Sequence, residues 1–566
     1  MPSPPRRPDW WRNAVVYQVY PRSFQDSDAD GVGDIPGITA RLDHLGLLGV
    51  DVLWLSPIYR SPMDDNGYDI SDYEDVDPLF GTLPDLDELI SGCHRRGIRV
   101  VMDLVVNHTS DEHAWFVESR DPESPKRDWY WWRPPRSDGS APTNWESAFG
   151  GPAWEYDERS GEFYLHVFSR KQPDLNWESN EVRQAVYAMM RRWVERGVDG
   201  FRMDVIDMIS KETTLRDGVP AEGRDLVFPV GVAFGPRLHE FLAEMSREVG
   251  IADEHLLTVG EMAMSTVEQA GLFTDPARRE LDMVFSFEHL WQDEQPGQGK
   301  WALRPLHLPD LKGVLARWQT GLADVGWNSL YWENHDQPRV VSRFGDDSPE
   351  HRVASAKTLA TVLHLHRGTP YVYQGEELGM PSAGFTRLEQ YADLESVNWA
   401  HEALARGVPE AEVLRSLAAK SRDNARTPMQ WDAGEHAGFT TGTPWLPVHA
   451  DRDVVNAETQ AADPDSVLHH YRRLIALRHT DAVVVDGRFE LLLPDHPAVW
   501  TFTRTLGDDV LLVLANLSGH PVALAAGDIP DLTGSEVILP THRDDEAPYD
   551  LRLRPWESRI HRLRLS

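Results

Sequence analysis

A barrel of eight parallel strands alternating with helices, (β/α)8, is the fold this sequence predicts. A small domain is inserted after its third strand, and a C-terminal antiparallel β-sandwich follows it. Three observations carry this. First, four short apolar runs end in charged residues: Val100 to His108, Gly200 to Val205, Leu256 to Glu261 and Ser329 to Asp336. Buried strands whose C-terminal ends carry acids and histidines are how such a barrel builds a site. Second, strand-like and helical runs alternate from Ala14 onward, which predicts parallel pairing. Third, the texture changes at Val483 to short alternating runs between Gly, Pro and Asp turns, such as Val499 to Phe502 and Val510 to Leu514.

The elements follow in order. Residues 1–13 read as a loosely held arm rich in Pro and Arg. Ala14 to Tyr20 is the first strand, Ile38 to Leu48 an amphipathic helix and Val52 to Leu55 the second strand. Phe80 to Arg96 holds a helix whose inner face carries Leu86, Leu89, Ile90 and Cys93, and Val100 to Val106 is the third strand. The alternation breaks after His108. Thr109 to Gln172 is rich in Pro, Gly and aromatics, so the insert is expected at 109–176, between barrel parts 1–108 and 177–482. A helix at 182–197 and a strand at 200–205 resume the barrel. Leu256 to Glu261, Met283 to Phe287, Ser329 to Asn334 and Tyr371 to Tyr373 complete it, and the helix Ser466 to Arg478 closes it. An excursion at about 376–455 carries Arg422 to Arg426, and 483–566 is the sandwich.

A chain of 566 residues is too long for one compact core. With 91 acidic against 56 basic residues, the net charge of −35 excludes nucleic acid and anionic membranes as natural partners. Cys93 is the only cysteine, so no intrachain disulfide forms. No apolar leader or spanning run is evident, and the cytoplasm is the expected compartment, with a monomer or small homo-oligomer as the expected state. The run Asp26-Ser27-Asp28-Ala29-Asp30-Gly31-Val32-Gly33-Asp34 alternates acids around a glycine turn. Carboxylates this close repel unless a cation neutralises them. The expected ligands are the side chains of Asp26, Asp28, Asp30 and Asp34 and the carbonyl of Val32. A solvated acidic loop is the plain alternative, and because the run lacks a bidentate Glu at the twelfth position, an EF-hand helix pair is not implied.

The four strand ends read DLVVNH, GFRMDV, VGEM and ENHDQ, in that order. Together they resemble the four motif regions of the α-amylase family of glycoside hydrolases, within it the oligo-1,6-glucosidase and α-glucosidase branch. The likeness runs from Val16 to Phe24 at one end to Asn424 to Trp431 at the other. It implies a retaining exo-acting α-glucosidase for short α-1,6- or α-1,4-linked glucosides. Asp204 would be the nucleophile, Glu261 the acid/base and Asp336 the transition-state stabiliser. It further implies that Asp65 pairs with Arg422 or Arg426 to hold the 4-OH of the terminal glucose, which blocks further units there. Tyr68 would stack under that ring, with Phe149 and Phe168 near the mouth. His108 and His335 would act as neutral donors, and Asp103 would hold Arg202. A structural Ca2+ or Mg2+ is implied in the 26–34 loop, and no organic cofactor. Transglucosylating siblings, a sucrose isomerase or a trehalose synthase, share these acids. A non-catalytic transporter heavy subunit has the fold without them.

The residues agree with that chemistry. Arg202 and Asp204 alternate on one strand and so share a face, as a core ion pair or as cavity groups. Glycoside hydrolysis needs one ionised and one protonated carboxyl. Arg202 is expected to lower the pKa of Asp204, and the apolar run before Glu261 to raise that of Glu261. Gly260 is expected to leave room for substrate. Val205, apolar and β-branched, would border the leaving sugar and favour the methylene of an α-1,6 linkage.

Overall fold

The computed structural model describes residues 9–221, 224–542 and 551–564. Eight strands form its centre: β1 (Val16–Val19), β2 (Val52–Leu55), β3 (Arg99–Val105), β4 (Gly200–Asp204), β5 (Leu257–Glu261), β6 (Met283–Phe285), β7 (Ser329–Leu330) and β8 (Thr369–Tyr373). They pair in parallel in the order β6-β5-β4-β3-β2-β1-β8-β7. A parallel bridge between Val284 and Asn328 brings β6 to β7 and closes the barrel. Strands β1, β2, β4, β5, β6 and β8 are buried throughout, and apolar side chains such as Val52, Trp54, Val101, Val259 and Phe285 pack inside. A Cβ on Gly200 would lie 2.2 Å from the Leu257 carbonyl, so only glycine lets β4 approach β5 at that point.

Three expectations change in detail. Trp10–Asn13 is a 3-10 turn rather than part of a loose arm, because Trp11 is buried edge-on against Trp327. Residues 1–8 lie outside the described residues. The helix expected at 38–48 is two helices, Ile35–Ala40 and Leu42–Leu48. They break at Arg41, whose Nε donates to Gln25 Oε1 at 2.7 Å and whose guanidinium lies 4.3 Å from the Trp431 ring. β7 stops at Leu330. Beyond it the Glu333 carboxylate accepts from Arg339 Nη1 at 2.9 Å and from the Val340 N–H, which turns the chain out of the ladder.

Between β3 and the helix Asn180–Arg196 lies a three-stranded antiparallel sheet of Trp132–Arg133, Glu162–Leu165 and Trp154–Asp157. Trp131, Trp145 and Trp154 form its core. Val232, from the long segment after β4, joins that core, and Trp145 bridges to Val227. The C-terminal sheet contains β9 (Arg488–Leu492), β10 (Val499–Leu506), β11 (Asp509–Asn516), β12 (Glu536–Pro540) and β13 (Ser558–Arg564), antiparallel in the order β9-β10-β11-β13-β12. Val522–Ala523 and Arg552–Leu553 make a second, two-stranded layer. Trp500, Phe502 and Ile560 continue the barrel's outer core without a break. No helix among the described residues is long and apolar enough to cross a membrane.

Candidate active site

The strand ends converge on a cavity of about 560 Å³. Register sets Asp103 of β3 beside Arg202 of β4, and alternation keeps Asp204 on the face of Arg202. Arg202 Nη1 donates to Asp103 Oδ1 and to Asp204 Oδ1, each at 2.7 Å, and Nη2 donates to Glu261 Oε2. The ion pair and the cavity acid are therefore one assembly. Burial raises the Asp204 carboxyl to about 6, with Arg202 opposing. The expectation that Arg202 leaves it below the ordinary range is corrected: one guanidinium shared among three buried carboxylates offsets desolvation only in part. Glu261 rises to about 8, first by burial and then by the neighbouring Asp204 and Asp336, against Arg202. Asp204 thus ionises before Glu261.

Val205 follows in the left-handed region, at φ 34° and ψ 44°, an uncommon and strained conformation for a β-branched residue. That turn aims its N–H at Glu261 Oε2, 3.3 Å away. Gly260 does not border substrate. A Cβ there would lie 2.8 Å from Leu281 Cδ1 and 2.9 Å from Ile206 Cγ2, so the glycine serves packing, and the expected access role is corrected.

At one end of the cavity, Arg422 Nη2 donates to Asp65 Oδ1 at 3.0 Å. Arg426 turns instead to Asp336 Oδ1, at 2.6 Å. Both arginines lean on Asp393, which takes Arg422 Nε at 2.6 Å and Arg426 Nη1 at 3.5 Å. Burial lifts Asp65 to about 6, against Arg422 and Arg426. Burial would lift Asp336 too, but His335, Arg422 and Arg426 outweigh it and hold that carboxyl far below its ordinary range. The Tyr68 ring lies parallel to His335, 5.1 Å away, and Tyr20 covers the other face of the imidazole at 5.9 Å. Gln18 Nε2 donates to His335 Nδ1 at 2.8 Å, which leaves the Nε2 proton facing Asp336 Oδ2 at 3.2 Å. Burial lowers the pKa of His108.

Asp65, Tyr68, His108, Phe149, Phe168, Asp204, Glu261, Asp336 and Arg422 all line the cavity, whereas Arg202, His335 and Arg426 stand behind that lining. The sequence reading did not single out Asp393, Gln172, Phe287, Trp291, Lys300 or Glu395. Gln172 Nε2 donates to Asp65 Oδ2 at 3.3 Å. Its place directly after the Phe168 run was the one available signal.

In the acidic loop, ligand oxygens of Asp26, Asp28 and Asp34 lie within 4.8 Å of one another. Oxygens about 2.4 Å from a common Ca2+ span that distance, so the set fits a hard cation. Asp30 stands apart and spends Oδ1 on the Val32 N–H at 2.7 Å. Burial would raise Asp26, but Thr440 and the backbone N–H groups of Gly31, Ala29 and Asp28 outweigh it and keep it ionised. Asn107 faces a resident cation: Lys211 Nζ, buried, donates to Asn107 Oδ1 at 2.8 Å and meets Asp174 Oδ2 at 3.0 Å.

Comparison with known proteins extends this picture. The model of the α-amylase catalytic domain matches residues 18–487. The chain is 53% identical over 563 residues to an oligo-1,6-glucosidase of Parageobacillus thermoglucosidasius, covering 98% of this chain and 99% of that one. Among solved structures, a Bacillus licheniformis trehalose-6-phosphate hydrolase superposes with a TM-score of 0.92 at 46% identity, over 99% of this chain and 100% of its own. An isomaltulose synthase of Klebsiella sp. LX3 does so at 0.92 and 39%, with the same coverage.

Proposed function

The chain belongs to the α-amylase family of glycoside hydrolases, and we propose that it is a retaining exo-α-glucosidase that removes terminal glucose from short α-1,6- and α-1,4-linked glucosides. The observation that carries this is the dyad on Arg202. Both Asp204 and Glu261 bond to one guanidinium, which keeps them close. Retaining enzymes hold the two carboxyls about 5–5.5 Å apart, too close to seat a water for direct attack, and two carboxylates on one guanidinium are compatible with that spacing. Asp204, ionised first, attacks the anomeric carbon. Glu261, protonated to about 8, gives its proton to the leaving oxygen. A covalent glucosyl-enzyme results. Glu261, now ionised, takes a proton from water, which attacks the same carbon and releases the α-anomer. Asp336, kept ionised, grips sugar hydroxyls and favours the oxocarbenium-like ring. The Asp65–Arg422 pair holds the 4-OH and closes that end, so the enzyme trims one glucose at a time.

The likeness to a trehalose-6-phosphate hydrolase favours a second reading, a phosphorylated disaccharide as substrate. Three cations line the cavity, and each is already paired: Lys300 with Glu395 at 2.5 Å, Lys420 with Asp293 at 2.5 Å and Arg422 with Asp65 at 3.0 Å. A phosphate dianion would have to displace a carboxylate and face six lining acids, so neutral glucosides fit better. Product chromatography on isomaltose, maltose, sucrose and trehalose tests the reading. Glucose as the main product supports it. Isomerised sucrose or trehalose as the main product would instead put the chain with the transglucosylating siblings.

We also propose a structural Ca2+ or Mg2+ held by Asp26, Asp28 and Asp34. A ligand bound only by the folded state stabilises it, so chelation should lower the Tm. A Tm indifferent to chelator and to added Ca2+ or Mg2+ would refute the site. The single, buried Cys93 suits the reducing cytoplasm, where a monomer or small homo-oligomer is the proposed state.

A further inference from the structure

Strand β1 carries one amide among its four buried residues, Gln18. A buried amide is costly unless its donors are used. Both are used here: Gln18 Nε2 lies 3.1 Å from Ser56 Oγ and 2.8 Å from His335 Nδ1. The imidazole it meets is fully buried and boxed in. Tyr68 and Tyr20 stack on its two faces, and Trp54 stands perpendicular to it, 6.3 Å away.

The charges around the ring decide where its proton sits. Burial pushes the His335 pKa down to about 3, against the adjacent Asp336 and helped by Arg202, Arg426 and Arg422. The ring is therefore neutral and carries one proton. Asp336 is ionised, and its Oδ2 lies 3.2 Å from Nε2. A proton on Nδ1 would leave the Nε2 lone pair facing that anionic oxygen, whereas a proton on Nε2 turns the repulsion into attraction. Nδ1 is then the acceptor, and Gln18 supplies its donor. The Nε2 proton makes no well-aligned hydrogen bond among the described residues, so it stays available to a ligand.

We propose that Gln18 is a positioning residue for the reaction: its amide holds His335 in the Nε2–H form, as a fixed neutral donor beside Asp336. The proposal rests on the α-glucosidase reading. Asp336 Oδ1 is held by Arg426 at 2.6 Å and Arg422 at 3.4 Å, while Oδ2 has the His335 N–H facing it. Without the amide, nothing on Nδ1 distinguishes the two tautomers or the two ends of the ring. The imidazole is then free to move its proton or to turn over, and Oδ2 loses that neighbour.

The test has two arms. Gln18→Met keeps the length of the side chain and nearly its volume, and removes the donor. On p-nitrophenyl α-glucoside its kcat/KM should fall about tenfold or more, the size seen for outer partners that orient a histidine. The fall should lie mainly in kcat, because Asp336 acts on the transition state. A loss within about threefold, or one confined to KM, would mark a packing role alone and overturn the proposal. Neutron diffraction of the perdeuterated wild type depends neither on the variant's folding nor on any substrate. Deuterium should appear on His335 Nε2 and not on Nδ1, with the Gln18 ND2 group turned to Nδ1. Deuterium on Nδ1 would overturn the proposal. A wild type with the expected deuterium positions that leaves p-nitrophenyl α-glucoside intact would instead overturn the glucosidase reading, with the tautomer still standing.

Discussion

At the closed end of the cavity, Asp65, Arg422, Asp393, Arg426 and Asp336 form an unbroken run of charged contacts, most of it fully buried. At the ring-lined end, which we take as the open one, Phe168, Phe287 and Trp291 present rings, Phe149 reaches to within 5.1 Å of the Arg422 guanidinium, and Glu395 pairs with Lys300 while lying 3.8 Å from Arg422. The closed end gains geometry from its charges rather than stability, since buried pairs roughly repay their own desolvation. A ring wall holds a sugar by area and shape, and tolerates variation. The two ends should therefore fail differently when altered: the closed end for every substrate alike, the open end according to what leaves.

The bond between the two ends sets the largest effect. Asp204→Asn removes the nucleophilic oxygen, and turnover of p-nitrophenyl α-glucoside should fall by about 10⁴-fold or more with the fold intact. A loss within about tenfold would sink the assignment. Arg422→Ala comes next. It leaves Asp65 and Asp393 buried without their main partner, which lowers stability by about 3 kcal/mol or more, and it removes a contact to the terminal glucose, which should lower kcat/KM by on the order of 10²-fold. The fall should be the same for p-nitrophenyl α-glucoside, isomaltose and isomaltotriose. A loss confined to the longer sugars would erase the distinction between the ends.

The dyad also predicts a bell-shaped pH profile of kcat/KM. The acid limb lies near 6, where Asp204 must ionise, and the alkaline limb near 8, where Glu261 loses its proton. Both carboxyls are raised relative to the unfolded chain. Their protonated forms therefore favour folding, and that contribution is present at low pH and lost as pH climbs through about 6 and then about 8. Glu261→Gln should remove the alkaline limb with a leaving group that needs no proton. An alkaline limb that persists in that variant would break the assignment.

The smallest effect is at the open end. Val205 lines the cavity; on the proposed reading it borders the leaving sugar, and one added methylene of an α-1,6 linkage is worth up to about 0.8 kcal/mol against it. Val205→Thr should shift the maltose-to-isomaltose ratio several-fold toward maltose. A wild type active on maltose and silent on isomaltose and panose would end that account.

The barrel was legible because apolar runs alternate with helical ones and end in charged residues, and Asp204, Glu261 and Asp336 stand at such ends, in motifs whose family resemblance supplied their roles. The insert showed itself only as broken alternation. Its contact with Val227 and Val232 comes from a segment 50 to 60 residues beyond the expected boundary, and no local pattern links the two. Asp393 and Glu395 lie in an excursion without strand or barrel periodicity, so nothing marked them. Gly260 was misread because a glycine beside an acid looks the same in sequence whether it yields space to a ligand or to Leu281. The raised pKa of Asp204 depends on three carboxylates sharing Arg202, a count that only the folded register supplies.

Proton NMR of the first minutes of isomaltotriose hydrolysis tests the central claim most directly. An exo-acting, retaining enzyme releases the terminal glucose as the α-anomer, ahead of mutarotation, together with isomaltose. Glucose appearing first as the β-anomer would contradict retention, and glucose appearing as an equilibrated mixture beside fresh α-isomaltose would contradict removal from the closed end.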